Sequence, residues 1–421
     1  MKVWICIAYD PLPGLDSTTR LLRYGTLAEQ LAAAGHSVVM WTSTFDHWRK
    51  TQRFMRHHAV AVNERLRIEL LHAPGYARNV SFSRIQHNRK LAGAFRAWSA
   101  AAPPPDIIFA GIPCLELAEA AADYARTHGV PLIADVQDIW PEVYVSPLAP
   151  SLRWLGRTLL WLEFARARRI FRAATAVTAV SQRYLAWAQR LRGSSVERDA
   201  VFWLGYRLPP AEELAAARRQ SAELVQRLGL PADRILALFL GQFAASYDVA
   251  TMVAAAGLLE SRGVPVHLVL AGNGHKFDAA RKAAAGIRSI TLPGWLDRQD
   301  VVALLQISHI GLAAYSRRAP QSLPYKPFEY MAFGLPIISS LEGELREFIK
   351  IHDVGIHYCA GDTASLADAV GQLTADPNRR NGASRHARLL FASRFDARII
   401  TGQLVKYLEA LASSARQERN A

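Results

Sequence analysis

The sequence predicts an α/β protein built as two doubly wound parallel-sheet domains. Three observations lead there: a length of 421 residues, an alternation of short apolar runs with amphipathic stretches, and a restart of that alternation near the middle. A chain of this length exceeds what one hydrophobic core usually organises. The alternation is the signature of βαβ units.

The first strand series reads VWICIA (Val3 to Ala8), SVVMWT (Ser37 to Thr42), DIIFA (Asp106 to Ala110), PLIAD (Pro131 to Asp135) and AVTAV (Ala176 to Val180). Each run is short, nearly continuous in apolar character and rich in β-branched residues, as strands covered on both faces are. Between them lie helical stretches such as LLRYGTLAEQLAAAGH, which stops at Gly35. The second series is ILALFLG (Ile235 to Gly241), HLVLAG (His267 to Gly272), SITLPG (Ser289 to Gly294), HIGLAA (His309 to Ala314) and PIISS (Pro336 to Ser340). The stretch from about Gly205 to Leu230 holds Pro209-Pro210 and a polar helix, and there the hinge is expected. The predicted divisions are a Rossmann-like domain over 1–204, a second over 205–393, and a helix over 394–421 returning toward the first. Open parallel sheets bind ligands beyond the carboxyl ends of their strands, so two such domains are expected to face one cleft.

Composition narrows the function. Hydrophobic residues make up 51% and charged residues 20%, the balance of a globular protein rather than a disordered one. Cys6, Cys114 and Cys359 show no metal-ligand or CxxC spacing, which points to buried thiols in a reducing compartment. The apolar run at the amino terminus is too short for a signal peptide. No window approaches about 18 consecutive apolar residues. A cytoplasmic protein is expected. Its net charge of +14 favours polyanionic partners without choosing among them.

The strongest chemical signal is LPYKPFEYMAFGLPIISS, Leu323 to Ser340. It reads as a loop, a short helix carrying Lys326 and Glu329, a stop at Gly334 and a buried strand. A helix amino terminus offers free N–H groups and a positive dipole end, which suit a diphosphate. Glu329 is placed to accept hydrogen bonds from a ribose diol, and Tyr325 and Tyr330 to flank a base or sugar. A charged helix on a solvated face fits the same spacing.

This segment resembles the nucleotide-sugar signature of the retaining family 4 glycosyltransferases: a Glu, seven residues, a second Glu, then a methionine–alanine–glycine–proline continuation. The resemblance implies the two-Rossmann GT-B architecture and places Glu329 on ribose. The first Glu falls on Gln321, which hydrogen-bonds but carries no charge; Ser322 and Leu323 follow it. FLGQFAASYDVATMVAAAGLL resembles the family's diphosphate loop, with Gly241 kept, Gln242 in the arginine place and Tyr247 at or beside the lysine place. Lys326, with Arg317 or Arg318, is the expected substitute for those cations. AGNGHKFD supplies the G-x-G of Gly272 and Gly274. The likeness covers most of Ile235 to Phe391.

In the first half, YDPLPG resembles the opening of family members that build surface polysaccharides, with Gly14 in the cleft-facing loop. DVQDIWPE (Asp135 to Glu142) resembles the segment where many members carry His-Asp; here it is Gln137-Asp138, and Asp138 is the polar candidate facing an acceptor. An Asp capping the turn before Pro141 is the alternative.

The resemblance implies sugar transfer from a nucleotide diphosphate to a glycan or lipid-linked acceptor, retaining and metal-independent, with Asp138, Gln321 and Lys326 as catalytic candidates and no cofactor. A nucleotide-sugar epimerase and a catalytically degenerate partner subunit are the rivals. The losses at Gln242, Tyr247 and Gln321 favour the second. DHWRKTQRFMRHH (Asp46 to His58) is expected to be a mobile loop. Ser151 to Arg172 is expected to be one helix, with Trp154, Leu155, Leu159, Trp161 and Leu162 among Arg153, Arg157, Arg166, Arg168 and Arg169. Such Arg/Trp amphipathicity suits an anionic membrane surface at the inner face; a core helix with a basic solvated side is the other reading. No nucleic-acid-binding module is present.

Overall fold

The computed structural model describes residues 1–16 and 20–420, with no side-chain description beyond 418. The chain parts into two compact units: Met1–Trp203 with the stretch from Ile400 onward, and Leu204–Ile399.

The first unit contains β1 (Lys2–Cys6), β2 (Ser37–Ser43), β3 (Phe45–Asp46), β4 (Thr51–Gln52), β5 (His58–Ala61), β6 (Leu66–Leu71), β7 (Ile107–Ile112), β8 (Leu132–Val136), β9 (Ala176–Ala179) and β10 (Ala200–Val201). Its helices are α1 (Arg23–Ala33), α2 (Phe82–Ser99), α3 (Leu115–His128), α4 (Glu142–Val145), α5 (Arg153–Leu159), α6 (Trp161–Ala173) and α7 (Gln182–Arg192). Eight strands form one sheet in the order β10-β9-β8-β7-β1-β2-β6-β5. All its pairings are parallel except that of β5 with β6. The order reverses between β1 and β7, so the crevice of this unit opens at the carboxyl ends of those two strands. Every residue of β7 is buried, which is why it reads as one apolar run.

The second unit carries α8 (Ala211–Leu228), then β11 (Ile235–Leu240), β12 (Val266–Ala271), β13 (Ile290–Gly294), β14 (Ile310–Ala313), β15 (Ile337–Ser339) and β16 (Gly355–His357). Its remaining helices are α9 (Val249–Ser261), α10 (Phe277–Ala283), α11 (Arg298–Ile307), α12 (Tyr325–Ala332), α13 (Glu344–His352), α14 (Thr363–Ala375) and α15 (Pro377–Leu390). The sheet is wholly parallel, in the order β13-β12-β11-β14-β15-β16. Its switch point lies between β11 and β14. A core of Phe239, Phe243, Met252, Leu268, Leu270 and Leu312, with their neighbours, fills one face. The final helix, α16 (Ala397–Asn420), ties to the first unit: Glu409 meets His36 at 2.7 Å, and Arg416 meets Asp106 at 2.6 Å.

Three expectations about local structure change. Asp46 to His58 is an ordered hairpin rather than a mobile loop: β3 and β4 pair antiparallel, and Arg53 binds both Asp16 and Asp46 at 2.8 Å. The single helix over Ser151 to Arg172 is a short 3₁₀ turn at Pro150–Leu152, then α5 and α6, broken at Leu160. Two of its arginines are structural. Arg166 binds Glu119 at 2.9 Å and Glu163 at 2.7 Å, and Arg169 binds Glu119 at 2.5 Å.

Candidate functional site

In the second unit the switch point gathers most of the residues singled out by sequence. Gly241 follows β11, Gly272 and Gly274 follow β12, Tyr315 follows β14, and α12 begins at Tyr325. The glycines are there for close approach. A Cβ on Gly272, whose φ is +142°, would sit 1.7 Å from the Gly241 carbonyl oxygen. One on Gly274 would lie 2.8 Å from Phe243 O. The two loops are therefore in backbone contact, and Gly241 N–H donates to Ala271 O and Gly272 N–H to Gly294 O.

Helix α12 starts after Pro324 with no side-chain cap, and the positive end of its dipole, which favours an anion, lies at that start, where Pro327 contributes no N–H. Lys326, on that first turn, is buried; its ammonium donates to Leu240 O and lies 4.9 Å and 4.8 Å from the Phe239 and Tyr247 ring centroids. It thus places a positive charge directly beneath Gly241. Glu329 stands one turn further along, half-buried. Burial raises the Tyr247 hydroxyl above its ordinary pKa, and the nearby Glu329 carboxylate adds to that effect. Tyr247 bridges to Tyr315 across the switch point, with rings 5.2 Å apart.

The remaining candidates sort by burial. Gln242 is exposed at the lip. Gln321 is half-buried, and its Oε1 is buried without a hydrogen-bond partner among the described residues. Ser322 and Leu323 are buried, with the Ser322 hydroxyl donating to Glu344 at 2.8 Å, so any ligand contact they make is through the backbone. Tyr325 is half-buried at the first turn. Tyr330 flanks no ligand. It is fully buried, donates to Leu312 O at 3.1 Å and accepts from Leu240 N–H at 3.2 Å, which makes it a brace between β11 and β14. Arg317 donates to Ala360 O at 3.1 Å.

Sequence reasoning missed Lys276. It follows Gly274 in the same loop, and its ammonium donates to Tyr247 O at 3.2 Å, bringing a second cation to the loop from which the family's basic side chains are lost. The G-x-G-H-K order was visible, but nothing in it said that the lysine folds back onto the loop after β11.

In the first unit Asp138 follows β8. Its Oδ1 accepts from Ile139 N–H at 2.9 Å, and burial lifts its pKa to about 6, so the carboxylate both braces its own turn and titrates near neutrality. Gln137 Nε2 beside it is buried with no partner among the described residues. At the β1–β7 switch point, Tyr9 donates to Asn88 at 2.6 Å. Arg84 of α2 stacks over Tyr9 at 4.7 Å and over Trp140 at 5.3 Å. Gly14 lies in the loop after β1, with φ +72° and Val62 at 3.2 Å from where a Cβ would be. Arg84 stands in no recognisable motif, and Tyr9 opens the YDPLPG stretch without the pattern giving it a role.

Asp10 was also unforeseen. Burial, eased by the Tyr24 N–H at 3.0 Å, holds its pKa at about 7; nearby Asp135 is itself locked by Arg23 at 2.8 Å. The folded state therefore keeps a proton that the unfolded chain releases near pH 4. Stability contributed by that proton is present at low pH and is lost as pH rises from about 4 to about 7. Asp10→Asn should be more stable than the wild type at pH 8 by roughly 2–4 kcal/mol and melt at a higher temperature, with the gap closing toward pH 4. Equal melting of the two proteins at both pH values would contradict the assignment.

With this geometry in place, the comparisons decide the family. Residues 220–390 match the model of glycosyl transferases group 1, and residues 23–206 match that of the glycosyl transferase 4-like domain. The chain belongs to the group 1 glycosyl transferases. It is a glycosyltransferase of the kind that draws on a nucleotide sugar, and its two parallel α/β sheets are those of the GT-B fold. Alpha-D-kanosaminyltransferase of Streptomyces kanamyceticus is 26% identical to it over 285 residues, 66% of this chain and 70% of that protein. Among solved structures, sucrose-phosphate synthase from Thermosynechococcus elongatus aligns with a TM-score of 0.72 at 18% identity, over 98% of this glycosyltransferase and 99% of that chain. HepE of Anabaena in complex with UDP-glucose aligns with a TM-score of 0.67 at 16% identity, over 97% and 100%. Among the described residues, no helix of this glycosyltransferase is long and apolar enough to cross a membrane.

Proposed function

We propose that this glycosyltransferase moves a hexosyl or N-acetylhexosaminyl group from a nucleoside diphosphate sugar to a hydroxyl of a lipid-linked glycan, with retention and without a metal. The observation that carries the donor half is the β11–β14 crevice, where contacting glycine loops, the uncapped start of α12, two lysines and Glu329 converge. The diphosphate lies against the first turn of α12, near Lys326 and Lys276, and the ribose hydroxyls donate to Glu329. Gly241, Gly272 and Gly274 let the backbone close on the phosphates, while Gln242 and Tyr247 border them. Gln321 hydrogen-bonds the sugar. HepE's complex with UDP-glucose makes uridine the first base to try.

The anomeric C–O bond to the diphosphate breaks as the acceptor oxygen attacks from the same face. The acceptor's proton passes to the departing phosphate oxygen. Fixed positive charge on the leaving group lowers the barrier. Asp138 and the neighbouring Gln137 receive the acceptor, and Gly14 belongs to the same side. The acceptor's lipid places the enzyme peripherally on the inner membrane face, in the cytoplasm, with no role for nucleic acid.

The second reading is a non-catalytic partner subunit that keeps the fold, favoured by Gln242, Tyr247 and Gln321 in the places of charged residues. Turnover with a panel of nucleotide sugars and lipid-diphosphate sugar acceptors separates the two. The proposal expects transfer from at least one donor, with kcat/KM lowered roughly 100-fold in Lys326→Glu as a charge-assisted contact of about 3 kcal/mol is lost. Donor binding without transfer to any acceptor supports the partner subunit. Unchanged donor affinity in Lys326→Glu removes the lysine from the site.

A further inference from the structure

Helices α4 to α7 of the first unit, with Ile139 before them, line an open cavity of about 510 Å³. Five arginines line it: Arg153, Arg157, Arg168, Arg183 and Arg190. Among the described lining residues only Glu142 is acidic, and it takes Arg157 at 2.8 Å. Arg153 donates to Leu148 O and Ser146 O at 3.2 Å and Arg168 to Phe164 O at 3.3 Å, backbone bonds that anchor these guanidinium groups without neutralising their charge. Arg166 and Arg169 pair with Glu116, Glu119 and Glu163, and α7 adds Arg183 and Arg190 to the cavity lining, which no reading of the preceding segment included. Trp161 and Trp187 complete the wall, and Trp187 Nε1 is buried with no partner among the described residues.

Beside the cavity runs an exposed apolar line. Trp154 is 67% and Leu159 75% exposed, and Leu152, Leu155, Trp161 and Leu162 are exposed with them. The break at Leu160 turns this line along both α5 and α6. Indoles and leucines held in water gain free energy at a bilayer interface, and concentrated guanidinium groups bind phosphate in two-pronged fashion. A nucleic-acid track would want the arginines without the leucines.

We infer that the cavity is a phosphate-binding site that seats the headgroup of an anionic lipid, while the line from Leu152 to Leu162 enters the bilayer interface. This rests on the membrane-face reading given above and adds to it a built phosphate pocket and two residues of α7. Two arginines near an anionic surface account for roughly a thirtyfold change in partition.

Co-sedimentation of the full chain tests it, using vesicles of phosphatidylcholine alone and with phosphatidylglycerol. Wild type is expected on the anionic vesicles and far less on the neutral ones. The pair Arg168→Glu and Arg190→Glu should cut anionic binding at least thirtyfold, and Trp154→Ser with Leu159→Ser should abolish it. Retained binding in the arginine pair, with loss in the Trp/Leu pair, would leave the membrane face standing and overturn the cavity. Absence of wild-type binding to either vesicle would overturn both. Inorganic phosphate, at matched ionic strength, should compete with the anionic vesicles. Phosphate bound tightly with no vesicle recovered would make the pocket a site for a free anion, and self-association or oligonucleotide binding in place of vesicle binding would likewise defeat the proposal. Should the charge-reversed pair not fold, Arg168→Gln with Arg190→Gln is expected to lose about half as much in logarithmic terms; no loss counts against the pocket.

Discussion

Glu329→Ala should weaken donor binding about 100-fold, as read by calorimetric titration with the nucleotide sugar. The carboxylate sits one turn into α12, close enough for its charge to be felt at Tyr247 in the loop after β11. Two charge-assisted hydrogen bonds from a ribose diol together contribute about 3 kcal/mol, which is the expected loss in affinity. Ribose lies far from the breaking bond, so the effect belongs to KM with kcat nearly preserved. Glu329→Gln keeps the shape and the acceptor oxygen and should lose about tenfold. A dissociation constant unchanged in Glu329→Ala would remove ribose from this residue.

Gly272→Ala is expected to be the most damaging single methyl group in the second unit. The added carbon would lie 1.7 Å from Gly241 O, far inside van der Waals contact, and the residue would be held at φ +142°, where side-chain-bearing residues are strained. The loops after β11 and β12 must then part by more than an ångström. The expected cost is about 3 kcal/mol or more in stability, with kcat/KM down about 100-fold in whatever remains folded. Gly371→Ala, in α14 with nothing within 4 Å of its new carbon, is the control. It should stabilise by about 0.5–1 kcal/mol. Similar unfolding of the two variants would show that the close approach of the loops is not what fixes glycine at 272.

These contrasts show where the sequence was readable. Strands buried on both faces, such as β7 and β11, announce themselves as apolar runs, and their alternation with helices fixes the fold class. β6 was overlooked because Arg67 and Glu69 interrupt its run; the structure resolves the conflict by pairing Glu69 with His57 at 3.0 Å and Arg67 at 2.5 Å. β16 spans only Gly355–His357 and has too little pattern to detect. At the β11–β14 switch point, the close-approach glycines Gly241, Gly272 and Gly274 and the α12 residue Glu329 were legible because order along the chain places them. Tyr330 was misread because an aromatic beside a motif looks the same whether it faces a ligand or braces two strands. Lys276, Arg84 and Asp10 could not be read, since their roles come from loops folding back and from burial rather than from spacing. The arginine cavity is a further case: α7 follows β9 in the chain, and only packing against α6 brings Arg183 and Arg190 beside Arg168.

A crystal structure of the protein with a nucleoside diphosphate bound tests the central claim most directly. The diphosphate should lie on the first turn of α12 between the Gly241 and Gly272 loops, with both ribose hydroxyls at about 2.5–3.0 Å from the Glu329 carboxylate oxygens. A nucleotide seated elsewhere, or a Glu329 side chain directed away from the ribose, would contradict it.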